Sequence, residues 1–273
     1  MNPSRISQLF ARCRDTNEPA LIAYITAGDP SLDRTISLVE AMERGGADLI
    51  ELGVPFSDPV ADGPVIMRAT ERALANGASV AGVLQVARKI REHSQIPILL
   101  FSYLNPLLRY GFEKLAADAV AAGVDGILMT DVSVEEAGKF VPAVRAAGLD
   151  TVFLAAPTST PERLKRIAEY SSGFIYLVSR TGVTGVQDQV AGSAAELVAN
   201  MRKVTDLPLA VGFGIAKAAD AGAVAQIADG VVVGSAFVKI IENAAGSPQL
   251  EERLEAFTRE LKEGALAGRQ ALV

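Results

Sequence analysis

Gly46-Ala47-Asp48-Leu49-Ile50-Glu51-Leu52-Gly53 carries the pattern that decides the fold: a glycine able to end a helix in a left-handed turn, one spacer, then an aspartate opening a short apolar strand. The same junction recurs at Gly123-Val124-Asp125 and Gly148-Leu149-Asp150, and Asp229 stands similarly before its own apolar run. Working outward, β-rich runs fall at Leu21–Thr26, Asp48–Gly53, Ile96–Phe101, Asp125–Thr130, Asp150–Ala155, Phe174–Ser179, Leu207–Gly212 and Asp229–Gly234. Helix-length segments separate them. Strands this uniformly apolar belong to a parallel sheet covered by helices, and eight of them close a barrel more naturally than they spread into an open sheet. The prediction is an α/β fold, a single (βα)8 TIM barrel over residues 1–273, a length such barrels commonly reach as one unit.

Two additions to the repeat are expected. Ile6, Leu9, Phe10 and Cys13 are spaced as one helical face ahead of the first strand and predict a helix closing the barrel bottom. After the eighth strand come a helix over Ala236–Glu242 and a last one with Leu250, Leu254, Phe257 and Leu261 on one face.

Composition narrows the function. A net charge of -6 with no Lys/Arg block and no Trp disfavours a nucleic-acid surface. Cys13 is the single cysteine, which rules out an internal disulfide or cysteine cluster and, with its helical spacing, reads as core. The first residues lack a continuous apolar segment, and no run approaches a membrane span, so a cytoplasmic setting is expected.

In this fold the chemistry sits in the loops after the strands. Three of those loops are glycine-rich: Ser179-Arg180-Thr181-Gly182-Val183-Thr184-Gly185, Gly212-Phe213-Gly214, and Gly234-Ser235 at the head of a helix. Glycine lets backbone N–H groups approach an anion, and a helix N-terminus adds free donors, so together they read as a phosphate cradle. The segment that runs off the end of the second strand is acidic, with Glu51 in the strand and Asp58 and Asp62 in the loop. Alternation along a strand puts Leu49, Glu51 and Gly53 on one side and Ile50 and Leu52 on the other. A glutamate there faces the barrel mouth or is buried at considerable cost, and desolvation would raise its pKa toward neutrality. Asp62 is either a second carboxylate over the mouth or a turn residue. Asp131 is either a wall residue or, the preferred reading, the N-cap of a helix beginning near Val134.

Absences narrow the mechanism further. His93, the lone histidine, falls at a helix end away from the mouth, and no strand carries a lysine. Neither a metal-dependent nor a Schiff-base aldolase is supported, so any carbon–carbon cleavage would use the substrate as electron sink while the enzyme moves protons.

Glu51-Leu52-Gly53-Val54-Pro55-Phe56-Ser57-Asp58-Pro59 with Ala61-Asp62-Gly63-Pro64 resembles the hallmark of the tryptophan synthase α-subunit family. Ile25-Thr26-Ala27-Gly28-Asp29-Pro30, Ser179 to Gly185 and Val211-Gly212-Phe213-Gly214-Ile215 support the likeness in the same order. The resemblance implies retro-aldol cleavage of indole-3-glycerol phosphate to indole and glyceraldehyde 3-phosphate. By motif, Glu51 would be the acid/base and Asp62 would accept from the indole N–H. Gly185, Gly214, Gly234 and Ser235 would hold the phosphate. Tyr24, Phe101, Leu128, Leu154 and Phe213 would form the indole slot, with Tyr103 and Tyr176 near the reacting carbons. The segment Arg180 to Gly192 would be a lid, with Arg180 and Thr184. No cofactor is implied in this chain; pyridoxal phosphate would belong to a β-subunit partner, in an α2β2 assembly contacted through Pro55, Asp58 and an Asn105-Pro106 loop. Thr181, Val60 and Met67 depart from the family's commonest residues and remove no acid, base or phosphate glycine. The alternatives are another phosphate-binding barrel enzyme, or a non-catalytic regulatory partner of a β subunit.

Overall fold

The computed structural model describes residues 3–178, 187–212 and 214–271, with the backbone alone for 187–193. The chain is a TIM barrel. Its strands are β1 (Ala20–Thr26), β2 (Leu49–Gly53), β3 (Ile98–Ser102), β4 (Gly126–Met129), β5 (Asp150–Val152), β6 (Leu154–Ala155), β7 (Ile175–Val178), β8 (Leu209–Gly212) and β9 (Gly230–Val233). Every pairing is parallel, in the order β5-β4-β3-β2-β1-β9-β8-β7-β6.

The fifth run, expected as one strand, is interrupted at Phe153. β5 pairs back to β4 and β6 pairs forward to β7, so the two halves stand at opposite ends of the strand order. Backbone bonds close the gap: Tyr176 N–H donates to the Phe153 carbonyl at 3.1 Å and Ser172 N–H to that of Thr151 at 2.7 Å. Alternation continues through the break, with Val152 and Leu154 facing the barrel interior and Phe153 packed among the outer core.

The helices are α1 (Arg5–Thr16), α2 (Leu32–Arg44), α3 (Pro64–Ala75), α4 (Val80–Arg91), α5 (Leu104–Tyr110), α6 (Phe112–Ala121), α7 (Val141–Ala146), α8 (Pro161–Tyr170), α9 (Gln187–Arg202), α10 (Ala218–Ala225), α11 (Ser235–Ala244) and α12 (Leu250–Gln270). Several begin where a hydroxyl satisfies an unpaired N–H of the first turn. Ser4, Ser31, Ser79 and Thr160 accept from the residue three positions on. The glycines of the repeated junction have the left-handed backbone expected of them, φ being 103° at Gly46, 76° at Gly123 and 86° at Gly148. Two of the connections hold a pair of helices each. As a result Asn105 and Pro106, expected in a loop, lie in the first turn of α5; a proline is tolerated there because first-turn N–H groups have no intrahelical partner.

Two apolar layers result. Helix faces and outward strand residues make the outer core, while Ile22, Leu49, Leu99, Leu128, Val152, Phe174, Ala210 and Val232 fill the barrel. α1 seals its floor with Ile6, Leu9, Phe10 and Cys13, the Phe10 and Phe174 rings lying 5.5 Å apart. Burial pushes the Cys13 thiol up to about 11, which leaves it an inert core residue. His93 lies exposed in the turn after α4. Among the described residues no helix is long and apolar enough to cross a membrane.

Three of the strand-opening aspartates have a shared role, while Asp150 instead accepts from the Ser4 hydroxyl at the head of α1. Asp48 accepts from Leu21 N–H at 2.8 Å, Asp125 from Ile98 N–H at 2.9 Å and Asp229 from Leu209 N–H at 2.7 Å, each tying its own strand to a neighbour at the barrel bottom. Cations balance them: Lys262 on Asp48, Arg5 and Arg91 on Asp125, and Arg202 on Asp229. Removing one partner of a buried ion pair leaves the other uncompensated, so Asp125→Ala should cost about 3 kcal/mol. The check is a lower urea midpoint with an unchanged m-value.

Candidate active site

Glu51 is the central residue of β2 and lies between Tyr24 and Leu99 in register. As alternation predicts, it points into the barrel while Ile50 and Leu52 join the outer core. It is 1% exposed, and its Oε1 has no hydrogen-bond partner among the described residues. With burial unopposed, the carboxyl is pushed up to about 8, so it is a neutral acid at pH 7.

The loop leaving β2 brings Asp62 back over the mouth just before α3. Tyr103, buried at the end of β3, holds it there: its hydroxyl accepts from Ala61 N–H at 2.9 Å and donates to the Asp62 carboxylate. Burial raises Asp62 to about 6, the Tyr103 bond pulling the other way. The Tyr103 hydroxyl itself rises to about 12, through burial first and then the Asp62 charge. The two carboxyls therefore differ in state near neutrality, Asp62 ionised and Glu51 protonated.

Tyrosines wall the space between them. Tyr24 stands edge-on to Phe101 with ring centroids 5.1 Å apart, and its hydroxyl is 3.1 Å from Thr26 Oγ1. Its pKa is raised by burial and then by the charges of Asp62 and Glu51, which places it near both; Tyr176 is raised by burial, then Glu51 and Tyr24. Both rings depend on a missing side chain. A Cβ on Gly53 would come within 2.4 Å of the Tyr24 hydroxyl, and one on Gly212 within 2.3 Å of the Tyr176 hydroxyl. Phe101 and Leu154 are half-buried at the same rim, with Leu128 fully buried beside Phe101 as part of the floor beneath.

Across the mouth, β9 leads through Gly234 into α11, whose N-terminus has no side-chain cap. Ser235 is exposed at its first position, Gly234 packs against Tyr24, and Gly214 adopts φ 63° after β8. Free first-turn N–H groups and the helix dipole suit an anion. Phe213, Arg180, Thr181, Thr184 and Gly185 lie outside the described residues.

Asp131 caps a helix, though not the one expected. Its Oδ1 accepts from Leu104 N–H at 2.8 Å, capping α5 from across the sheet, and the segment near Val134 forms no α-helix. A local cap needs a helix to start within a few residues; here only a three-residue 3-10 turn, Ala137–Lys139, precedes α7. Pro55 is buried at the loop's root, whereas Asp58 is exposed and Val60 86% exposed at its tip. Thr26 and Thr130, which partner Tyr24 and Tyr103, were missed by sequence reasoning; the strand alternation that places Tyr24 and the end of β4 at the mouth was the available signal.

A groove of about 850 Å3 lies at the opposite end, beside α1, lined by Arg5, Arg12 and Asp125 among others. Its charges are engaged in the ion pairs of the barrel bottom, so it does not compete with the mouth as a reaction site. Among the described residues no group of three or more His, Cys, Asp or Glu could hold a metal ion.

The mouth thus brings together a buried neutral carboxyl, an ionised carboxylate, apolar and tyrosine walls and a helix N-terminus without a side-chain cap. The model of a family described as tryptophan synthase alpha chain matches residues 10–266. The tryptophan synthase alpha chain of Solibacter usitatus is 60% identical over 96% of this chain and 98% of its own length. That of Geotalea uraniireducens is 49% identical over 97% and 98%. Among solved structures, tryptophan synthase subunit alpha from Legionella pneumophila superposes with a TM-score of 0.90 at 35% identity, over 96% of this chain and 98% of that one. A tryptophan synthase structure from Mycobacterium tuberculosis gives 0.88 at 40%, over 97% and 99%.

The buried carboxyl carries a measurable consequence. In the unfolded chain Glu51 ionises near its ordinary 4.5, in the folded chain only near 8, so its contribution to stability is full below pH 4.5 and is lost as pH rises toward and through 8. Glu51→Gln removes that titration. The unfolding free energy of the variant relative to the native chain should rise between pH 5 and pH 8; a gap that stays flat with pH would mean that Glu51 titrates normally.

Proposed function

Because the chain belongs to the tryptophan synthase alpha chain family, lyases that cleave indole-3-glycerol phosphate in tryptophan biosynthesis, we propose that Glu51 and Asp62 carry that cleavage by proton transfer alone. The observation that carries the reading is the pair of carboxyls held in different protonation states over one mouth.

The steps follow from those states. Neutral Glu51 gives its proton to indole C3, which becomes tetrahedral and leaves a positive charge on the ring nitrogen. Ionised Asp62, oriented by Tyr103, accepts from the ring N–H and stabilises that charge in a water-poor setting. The Glu51 carboxylate then takes the proton of the adjacent glycerol hydroxyl. The oxygen pair forms the aldehyde, the carbon–carbon bond breaks, and its electrons return through the ring to the nitrogen. Glu51 ends protonated, as it began, and the products are indole and glyceraldehyde 3-phosphate. Indole is the electron sink, so neither a Schiff base nor a metal is needed.

Ser235, Gly234 and Gly214 suit the phosphate, with Gly185 from outside the described residues completing the set. Tyr24, Phe101, Leu128 and Leu154, with Phe213 from outside the described residues, suit the ring, and Tyr103 and Tyr176 suit the reacting carbons. Arg180 and Thr184 belong to the lid in this reading.

The family works with a β subunit. The proposal extends to an α2β2 assembly, with pyridoxal phosphate in the β subunit and contact through Pro55, Asp58, Asn105 and Pro106. The exposed loop tip around Asp58 and Val60 supports that face. One barrel domain over the whole chain and a cytoplasmic setting complete it; α1 on the barrel floor and α12 against α2 and α10 support the first, and a biosynthetic role the second.

The primary test incubates the chain with indole-3-glycerol phosphate and follows indole, with and without a tryptophan synthase β subunit. Slow release accelerated by β is expected; none in either condition rejects the substrate. Glu51→Gln should keep phosphate-ligand binding and lose about 10²- to 10⁴-fold in turnover, with near-native turnover removing Glu51 from the chemistry. kcat/KM should rise with pH through about 6 as Asp62 ionises and fall above about 8 as Glu51 loses its acid proton. In Asp62→Asn the lower limb should vanish and the rate drop about 10²-fold.

A further inference from the structure

Away from the reacting groups, four charges join three segments around the mouth. Asp29, in the turn after β1, is 1% exposed. Both its oxygens accept from the Arg72 fork on α3, at 2.9 and 2.8 Å. The remaining Arg72 Nη1 donates to Glu242 on α11 at 2.9 Å, and Glu242 in turn takes the Arg68 fork at 2.7 and 2.9 Å. The unit is neutral overall, and its guanidinium planes fix direction as well as distance.

Its position is informative. Arg72 stands eight residues after the start of α3 and Glu242 seven after Ser235, so at 1.5 Å per residue the unit lies about 10–12 Å along each helix from its N-terminus. Nearer the mouth the same helices meet through Ala69 and Val238, packed with Tyr24. One apolar contact and one ionic contact, spaced along two helices, fix both separation and tilt. Asp62 lies two residues before α3, and its loop is tied at the tip to the barrel through Tyr103. A shift of α3 therefore pulls Asp62 against its Tyr103 tie.

We propose that Asp29, Arg72, Glu242 and Arg68 form a crossbar locking α3 to α11, which sets the distance between the ring-binding carboxylate of Asp62 and the phosphate-binding start of α11. These are positioning residues, and the inference rests on the reading that Asp62 and Ser235 engage the two ends of one substrate. The Glu242 pairs with Arg68 and Arg72 are partly exposed and add register more than folding energy, whereas the Arg72 fork on buried Asp29 contributes to both.

Glu242→Gln, on the solvent side, tests it, with Arg72→Lys, which keeps the charge and loses the fork, as the second variant. Glu242→Gln should leave Tm within about 2 °C of native, while Arg72→Lys, which keeps a charge beside buried Asp29 but loses the fork, should lower it by several degrees. Each should lower kcat for indole-3-glycerol phosphate about tenfold, because small misplacements of a binding group are costly. The dissociation constant for inorganic phosphate alone should change less than about twofold, and in an Asp62→Asn background the Glu242→Gln loss should shrink to less than about twofold. Amide exchange across residues 54–68 should accelerate while the barrel-bottom strands keep native protection. An equal loss in both backgrounds, or unchanged exchange across 54–68, overturns the crossbar. A native chain that releases no indole overturns the substrate reading instead, and the exchange measurement still decides the crossbar.

Discussion

A carboxyl group fixed on a barrel strand, with one oxygen meeting no donor among the described residues, is the constraint around which this molecule is arranged. An ionised carboxylate in such a place would cost several kcal/mol, and the group avoids that cost by keeping its proton. The surroundings preserve the condition. Leu99 and Tyr24 flank Glu51 in register, Tyr176 lies close enough for its hydroxyl to feel the Glu51 charge, and α1 closes the interior from below. Any residue that admitted water or a cation beside Glu51 would lower its pKa and remove the acid. In the proposed reaction the same apolar enclosure would strengthen the response of Asp62 to a positive ring, because charges interact more strongly where water is scarce.

The two ends of the barrel divide the labour. At the bottom, Asp48, Asp125 and Asp229 bond neighbouring backbones and pair with Lys or Arg, so these acidic side chains are engaged in holding strands together. At the mouth, Glu51 and Asp62 lie among apolar and tyrosine walls, where burial raises their proton affinities. One residue type serves structure or chemistry according to which end of a strand it occupies, a separation general to this fold.

Much of this was readable in the chain. Glycine–spacer–aspartate junctions and apolar runs placed the strands within a residue or two, because both signals come from local backbone needs and from burial on two faces. Alternation put Glu51 inward, and motif spacing brought Asp62 to the same loop. The break at Phe153 was not readable: apolar continuity does not report that a strand's halves pair with different neighbours. Nor was the α5 helix, whose start at Leu104 relies on a cap from Asp131, twenty-seven positions on. The Asp29–Arg72–Glu242 unit escaped for the same reason, since its members come from three distant segments that only the closed barrel brings together. Long-range pairing leaves no local trace.

The sealed floor beneath Glu51 has a consequence for traffic. Indole is uncharged and apolar, and a pipe through the barrel would let it drain from either end. Ile6, Leu9, Phe10 and Cys13 make the barrel a cup instead, and a cup pours in one direction. The rim from which product must leave is also the rim that bears the exposed Asp58–Val60 tip. A protein seated on that rim would receive every molecule made below it before the solvent did.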